Sequence, residues 1–145
     1  ELTLKEIKKA VNSALKERYP EYKIYGADTI EGYTRPSFFV YTTQTFSEST
    51  KNARHKNVEV EIYCIQKAAN EADGTDFFTI MEEMFGQKLT VGSRSLNTSD
   101  MELTFQGENA NVPMCRFDVE FWDRIERQEN VETMKILMLG QEVKD

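Results

Sequence analysis

His55, the chain's single histidine, stands in the run Lys51-Asn52-Ala53-Arg54-His55-Lys56. An imidazole there could act as a general base, but it would need a second group to activate or to orient it. No GxSxG, no Ser/His/Asp order and no Cys/His pair can be assembled around it. A solvated imidazole in a polar loop is the expected state. Glu59 and Glu61 lie two apart, and Asp118 and Glu120 repeat the spacing. Carboxylates so placed could hold Mg²⁺ or Mn²⁺ through oxygen ligands. Charge alternating with apolar residues is also simply how a strand keeps one face wet. With no Lys or His beside them in the strand pattern, the four carboxylates read as an acidic sheet face without a catalytic metal. Cys64 and Cys115 are too few for a disulfide framework and have no metal-ligand spacing, so they read as free, buried thiols. No glycine-rich loop follows a strand, which leaves nucleotide cofactors without support. On these grounds no catalytic residue, cofactor or metal is expected.

The elements that position these residues follow from periodicity. In "TLKEIKKAVNSALKERY" Thr3 and Glu6 form a capping box, and Leu4, Ile7, Val11 and Leu15 make one apolar stripe. Tyr19-Pro20 ends that helix, because the residue before proline disfavours helical backbone. "KIYGAD" reads as a short strand and "EGYTRP" as a turn built on Gly32 and Pro36. "PSFFVYTTQTF" reads as a strand of aromatic and β-branched residues. "NVEVEIYCI" alternates strictly, with Val58, Val60, Ile62 and Cys64 opposite Glu59, Glu61 and Tyr63. "TDFFTIMEEMFG" is a second helix, with Phe77, Ile80, Met81 and Met84 inward and Gly86 as its C′ residue. "KLTV", "MELTF" and "VPMCRFDVEFWDRI" are further strands, the last two joined by "QGENAN". In the last, Cys115, Phe117, Val119 and Phe121 oppose Arg116, Asp118, Glu120 and Trp122. The expected fold is α+β: an antiparallel sheet with two amphipathic helices on one face, as a single domain over 1–145, with 126–145 as a possible extension.

An overall charge of -7 argues against general affinity for nucleic acid, which takes a surplus of Lys and Arg. No apolar stretch is long enough to span a membrane and no signal-peptide pattern opens the chain, so a reducing cytoplasm is expected. Against that acidic background the basic cluster Lys51, Arg54, His55 and Lys56 falls in what reads as a polar hairpin loop of roughly ten residues, longer than usual. Such an arm invites a contact with the acidic face of another copy, since complementary charge sets register and partner choice. A solvated loop without a partner is the plain alternative.

"LKEIKKAVNSALKERYPEYKIYG", "RPSFFVY", "KNARHKNVEVEIYCI", "FFTIMEEMF" and "FDVEFWDRI" follow one another along the chain. In type and order they resemble the tail terminator family of long-tailed bacteriophages, in the branch carried by phages and prophages of Gram-positive bacteria. The resemblance implies a structural protein of the virion tail, assembled in the host bacterial cytoplasm. It would cap the tail tube as a ring, usually of six copies, end its polymerisation and face the head-tail connector. Its partners would be itself, the tail tube protein and the connector, with no sequence-specific nucleic acid and no membrane. Lys51, Arg54, His55 and Lys56 become the expected assembly contacts, and Glu59, Glu61, Asp118 and Glu120 the acidic face. A neighbouring head-tail joining protein is the closest alternative; a metal-dependent hydrolase and a regulatory binding module are more distant.

Overall fold

The Thr3 hydroxyl accepts the backbone N–H of Glu6 and starts helix α1, Leu4–Arg18. A computed structural model of the chain describes residues 2–28 and 31–125; the expected extension at 126–145 lies outside them. Helix α1 is followed by β1 (Lys23–Tyr25), β2 (Ser37–Ser49), β3 (Ala53–Ile65), α2 (Glu71–Phe85), β4 (Lys88–Val91), β5 (Arg94–Gln106) and β6 (Val112–Arg124). The six strands form one sheet in the order β1-β2-β3-β6-β5-β4. All neighbours pair antiparallel except β1, which runs parallel to β2. The expectation of an antiparallel sheet thus needs one amendment. A parallel neighbour requires the chain to return to the same end of the sheet, and eleven residues, 26–36, separate β1 from β2.

Ile7, Val11 and Leu15 of α1 and Phe77, Met81 and Phe85 of α2 are buried in one core with Val58, Val60, Ile62 and Cys64 of β3 and Cys115, Phe117, Val119 and Phe121 of β6. Each such side chain contributes roughly 1.5–3 kcal/mol by leaving water. Both helices therefore cover the same face, and the sheet curls around them: α1 packs on β1 and β2 near one edge and on β4 at the other. Ile80 and Met84 are only partly buried, and Phe85 takes the inward place that simple counting gives to Met84. Asn70 caps the start of α2 by accepting Asp73 N–H, and Gly86 ends it in right-handed backbone.

Candidate functional site

The expected ten-residue loop is not a loop. β2 continues to Ser49 and β3 begins at Ala53, leaving only residues 50–52 as the turn. Thr50 closes it: its N–H and hydroxyl both donate to Ala53 O, and its hydroxyl accepts Ala53 N–H. Polar side chains do not stop a strand whose two faces are both wet, and composition alone cannot distinguish that case from a loop. The hairpin becomes an arm in which every residue from Thr43 to Ser49 is exposed. Strand β6 extends alongside it, with Ala53 opposite Arg124.

Of the four basic residues expected as contacts, Lys51 is exposed in the turn, while Arg54, His55 and Lys56 lie on β3 and point alternately to its two faces. Arg54 Nε donates to Ser49 Oγ at 2.9 Å. Lys56 requires the larger correction. It is 8% exposed, and its Nζ donates to Leu2 O at 3.2 Å. Leu2 N–H in turn donates to Asp123 Oδ2 at 2.7 Å, and Arg94 makes an ion pair with Asp123 Oδ1 while donating to Trp122 O. Lys56 is thus a structural residue that helps anchor the start of α1 to the base of the arm. Its position between the buried Val58 and the arm tip follows from the strict alternation of β3, which continues past the segment read as loop.

His55 faces the opposite, outer side. Its ring stacks on Trp122, 4.4 Å between centroids and 6° between planes, and Phe46 meets it edge-on at 5.2 Å. Its Nε2–H donates to Glu120 Oε1 at 2.6 Å. Trp122 is 57% exposed and Phe46 is 43% exposed, so the stack is an ordered aromatic surface open to solvent. Phe46 is there because of a β-bulge. Gln44 pairs with Val58, but Phe46 pairs with Asn57, and the extra residue reverses which face the rest of β2 presents. Without it Phe46 would point to the helix side. Sequence reasoning missed this cluster: it placed Trp122 on the wet face, but the bulge and the pairing of His55 with Trp122 have no sequence signal.

The acidic face is more mixed than expected. Glu59 and Asp118 are direct cross-strand partners, but Glu61 faces Arg116 and Glu120 is drawn to His55. Arg116 lies 3.6 Å from Glu59 and 2.5 Å from Glu102, so a cation sits among the carboxylates. Desolvation raises the Glu59 carboxyl above its usual range, aided by a hydrogen bond to Glu61 and opposed by Arg116. Tyr63 donates to Glu61 at 2.8 Å; desolvation first, then that bond, push its phenol up to about 12. Beyond it Tyr33, Phe39, Tyr41, Tyr63 and Ile65 line a shallow aromatic hollow of about 460 Å³. Among the described residues no three His, Cys, Asp or Glu side chains converge as a metal site. No nucleophile, base and orienting group meet in any of these places. What the geometry offers is surface: a stiff arm, an aromatic stack and a band of mixed charge.

The family model for the phage tail terminator protein matches residues 6–131. This chain belongs to the phage tail terminator family. Members are structural proteins of the phage tail, which places this one in the virion tail in company with other virion components. No curated protein matches the sequence. Among solved structures, one is 9% identical, with a TM-score of 0.49 over 87% of this chain and 98% of that one. A chain from the virion of a native gene transfer agent particle is 17% identical, with a TM-score of 0.45 over 85% of this chain and 93% of that one. At such scores the family match alone bears on what the chain does.

Proposed function

We propose that this tail terminator caps the tail tube as a ring of identical copies, usually six, stops tube polymerisation and offers the joining surface to the head connector. It does so as one domain, without catalysis, in a phage or prophage of a Gram-positive host, and it assembles in the bacterial cytoplasm. The observation that carries the reading is the arm: a three-stranded extension with Lys51 and Arg54 near its tip, on a chain whose overall charge is -7. A ring needs two different patches that meet head to tail. A cationic projection on an acidic body gives a subunit such a pair, and the aromatic stack beside the tip supplies apolar anchors of the kind that dominate interface energies. Carboxylates on the sheet would also repel a passing DNA backbone, which favours sliding over sticking.

The test is the Lys51→Glu/Arg54→Glu phage, with Lys56→Glu kept as a separate variant. Lys51 is exposed and Arg54 is half-buried on the arm, outside the core, so the double reversal changes folding stability by no more than about 1 kcal/mol. It yields filled heads with unjoined tails, or tubes of uncontrolled length, by electron microscopy. Lys56→Glu instead lowers the melting temperature, because it buries a carboxylate in a pocket that already holds Asp123. Normal virions from the double reversal refute the assembly role of the arm.

A further inference from the structure

Two stretches of main chain at the sheet's edges have no strand partner among the described residues. β1 pairs with β2 only at residues 37–39, so β2 presents an open edge over residues 40–49. β4 pairs with β5 only at residues 94–97, and after Thr98 donates to Gln87 O the edge of β5 is open over residues 99–106. Unpaired N–H and C=O groups in a row are a template for another strand, and a soluble protein usually covers or blunts them. Here the two open stretches lie on opposite sides of one sheet and at opposite ends of it. β2 is open toward the arm tip, and β5 is open toward the turn that leads into β6.

Resting on the ring reading above, we infer that the occupant of each edge is a second copy: the β2 edge of one subunit adds to the β5 edge of the next, extending the sheet across the interface. Three observations choose this occupant. The edges are different and lie on opposite sides, so identical copies can add head to tail without exhausting either, as a cyclic ring requires. Their surroundings carry opposite charge. The arm brings Lys51 and Arg54, whereas the open stretch of β5 itself carries Asp100 and Glu102 and lies beside the last turn of α2, which holds Glu82 and Glu83 and no basic residue. Finally, there is room: Glu82, Gly86, Gln87, Met101 and Leu103 line an open groove of about 510 Å³ along the β5 edge, between that strand and α2. A strand edge beside a helix wall is the geometry in which added strands dock. The curl of the sheet around the helices gives the row of subunits its turn.

Hydrogen exchange and crosslinking test this without assuming the register. The outward-pointing amides in residues 40–49 and 99–106, those not bonded to β3 or β6, exchange fast in the monomer; in tail particles or in purified rings both sets slow together by at least tenfold. In a Thr43→Cys/Thr104→Cys protein a short bismaleimide then links chain to chain, giving a ladder that runs past the dimer to the copy number of the ring. The two positions cannot be bridged within one chain: β3 and β6 lie between β2 and β5, three strand spacings or about 14 Å across the sheet. Wild-type protein, whose thiols are buried, is the blank. Rings that form with both stretches still exchanging fast overturn edge pairing and leave the ring reading intact. Covalent dimers with no longer species show an isologous pairing and overturn it also. Equal protection of either edge in isolated monomer, removed by truncation after residue 125, assigns that edge to the chain's own C-terminal segment and overturns the second copy as occupant. Particles that hold no ring of this protein overturn both readings.

Discussion

Cys64 and Cys115 illustrate what a single buried side chain does to reactivity. Both lie on the helix-facing side of adjacent strands, and Cys115 pairs with Ile62 in the middle of the core. Desolvation pushes both thiols up to about 12, since the apolar interior disfavours the thiolate. The thiolate is the reactive species, so at pH 8 only a minute fraction is available in the folded protein. Both cysteines should label with a maleimide or a disulfide reagent only as fast as the protein unfolds, and denaturant should release both together. Rapid labelling of one in native protein would place that residue on the outer face and shift the strand register by one. The alternation that predicts this burial is the most local signal in the chain, and it reads correctly because each strand alternates without interruption where the core needs it.

The arm and its base show where that signal stops. The helices, the place of each strand in the chain and the inward faces of β3 and β6 follow from period, composition and capping, since a buried face leaves its mark on every second residue; the first half of β5, residues 94–100, does not. Nothing comparable marks a strand that is wet on both sides, so residues 47–56 read as loop although all but 50–52 lie in strands. Nor does alternation survive a bulge, which is why Phe46 is found beside His55. Long-range polar pairs are also invisible: Asp123 holds Leu2 N–H across 121 residues of sequence. That carboxyl is desolvated, which opposes ionisation, but the Leu2 N–H and the Arg94 guanidinium outweigh this and keep it below the usual carboxylate range. Because the folded value is the lower one, the contribution to stability is complete above the unfolded value of about 3.9 and is lost as pH falls through the folded value. Asp123→Asn should therefore be less stable than wild type at pH 7 in urea melts, with the gap narrowing toward pH 3. A gap that stays constant over that range would mean that the Asp123 charge does not hold the start of α1.

At the scale of the whole molecule, stability and assembly depend on different residues. The core lies between the helices and one face of the sheet, while the outer face near the arm tip carries exposed side chains such as Trp122 and Phe46. Trp122 is the clearest case. Its backbone belongs to β6 and its carbonyl accepts Arg94, but its indole is mostly in solvent, stacked on His55. An indole kept in water on a rigid strand, with its neighbour fixed by Glu120, is pre-ordered for a partner and gives up little freedom on binding. Replacing it by alanine removes none of the backbone contacts. Trp122→Ala should accordingly unfold within about 1 kcal/mol of wild type. Truncating a central interface aromatic typically costs 2 kcal/mol or more, roughly a thirtyfold loss of affinity. In a complementation assay the variant protein should accumulate normally, yet yield few joined particles. Trp122→Phe, which keeps an aromatic face over His55, should restore part of the titre. Full titre from Trp122→Ala would show that the stack only shields His55; a large drop in melting temperature would show that it supports the sheet. Loss of titre at unchanged stability, with rescue by phenylalanine, is the outcome expected of a contact surface.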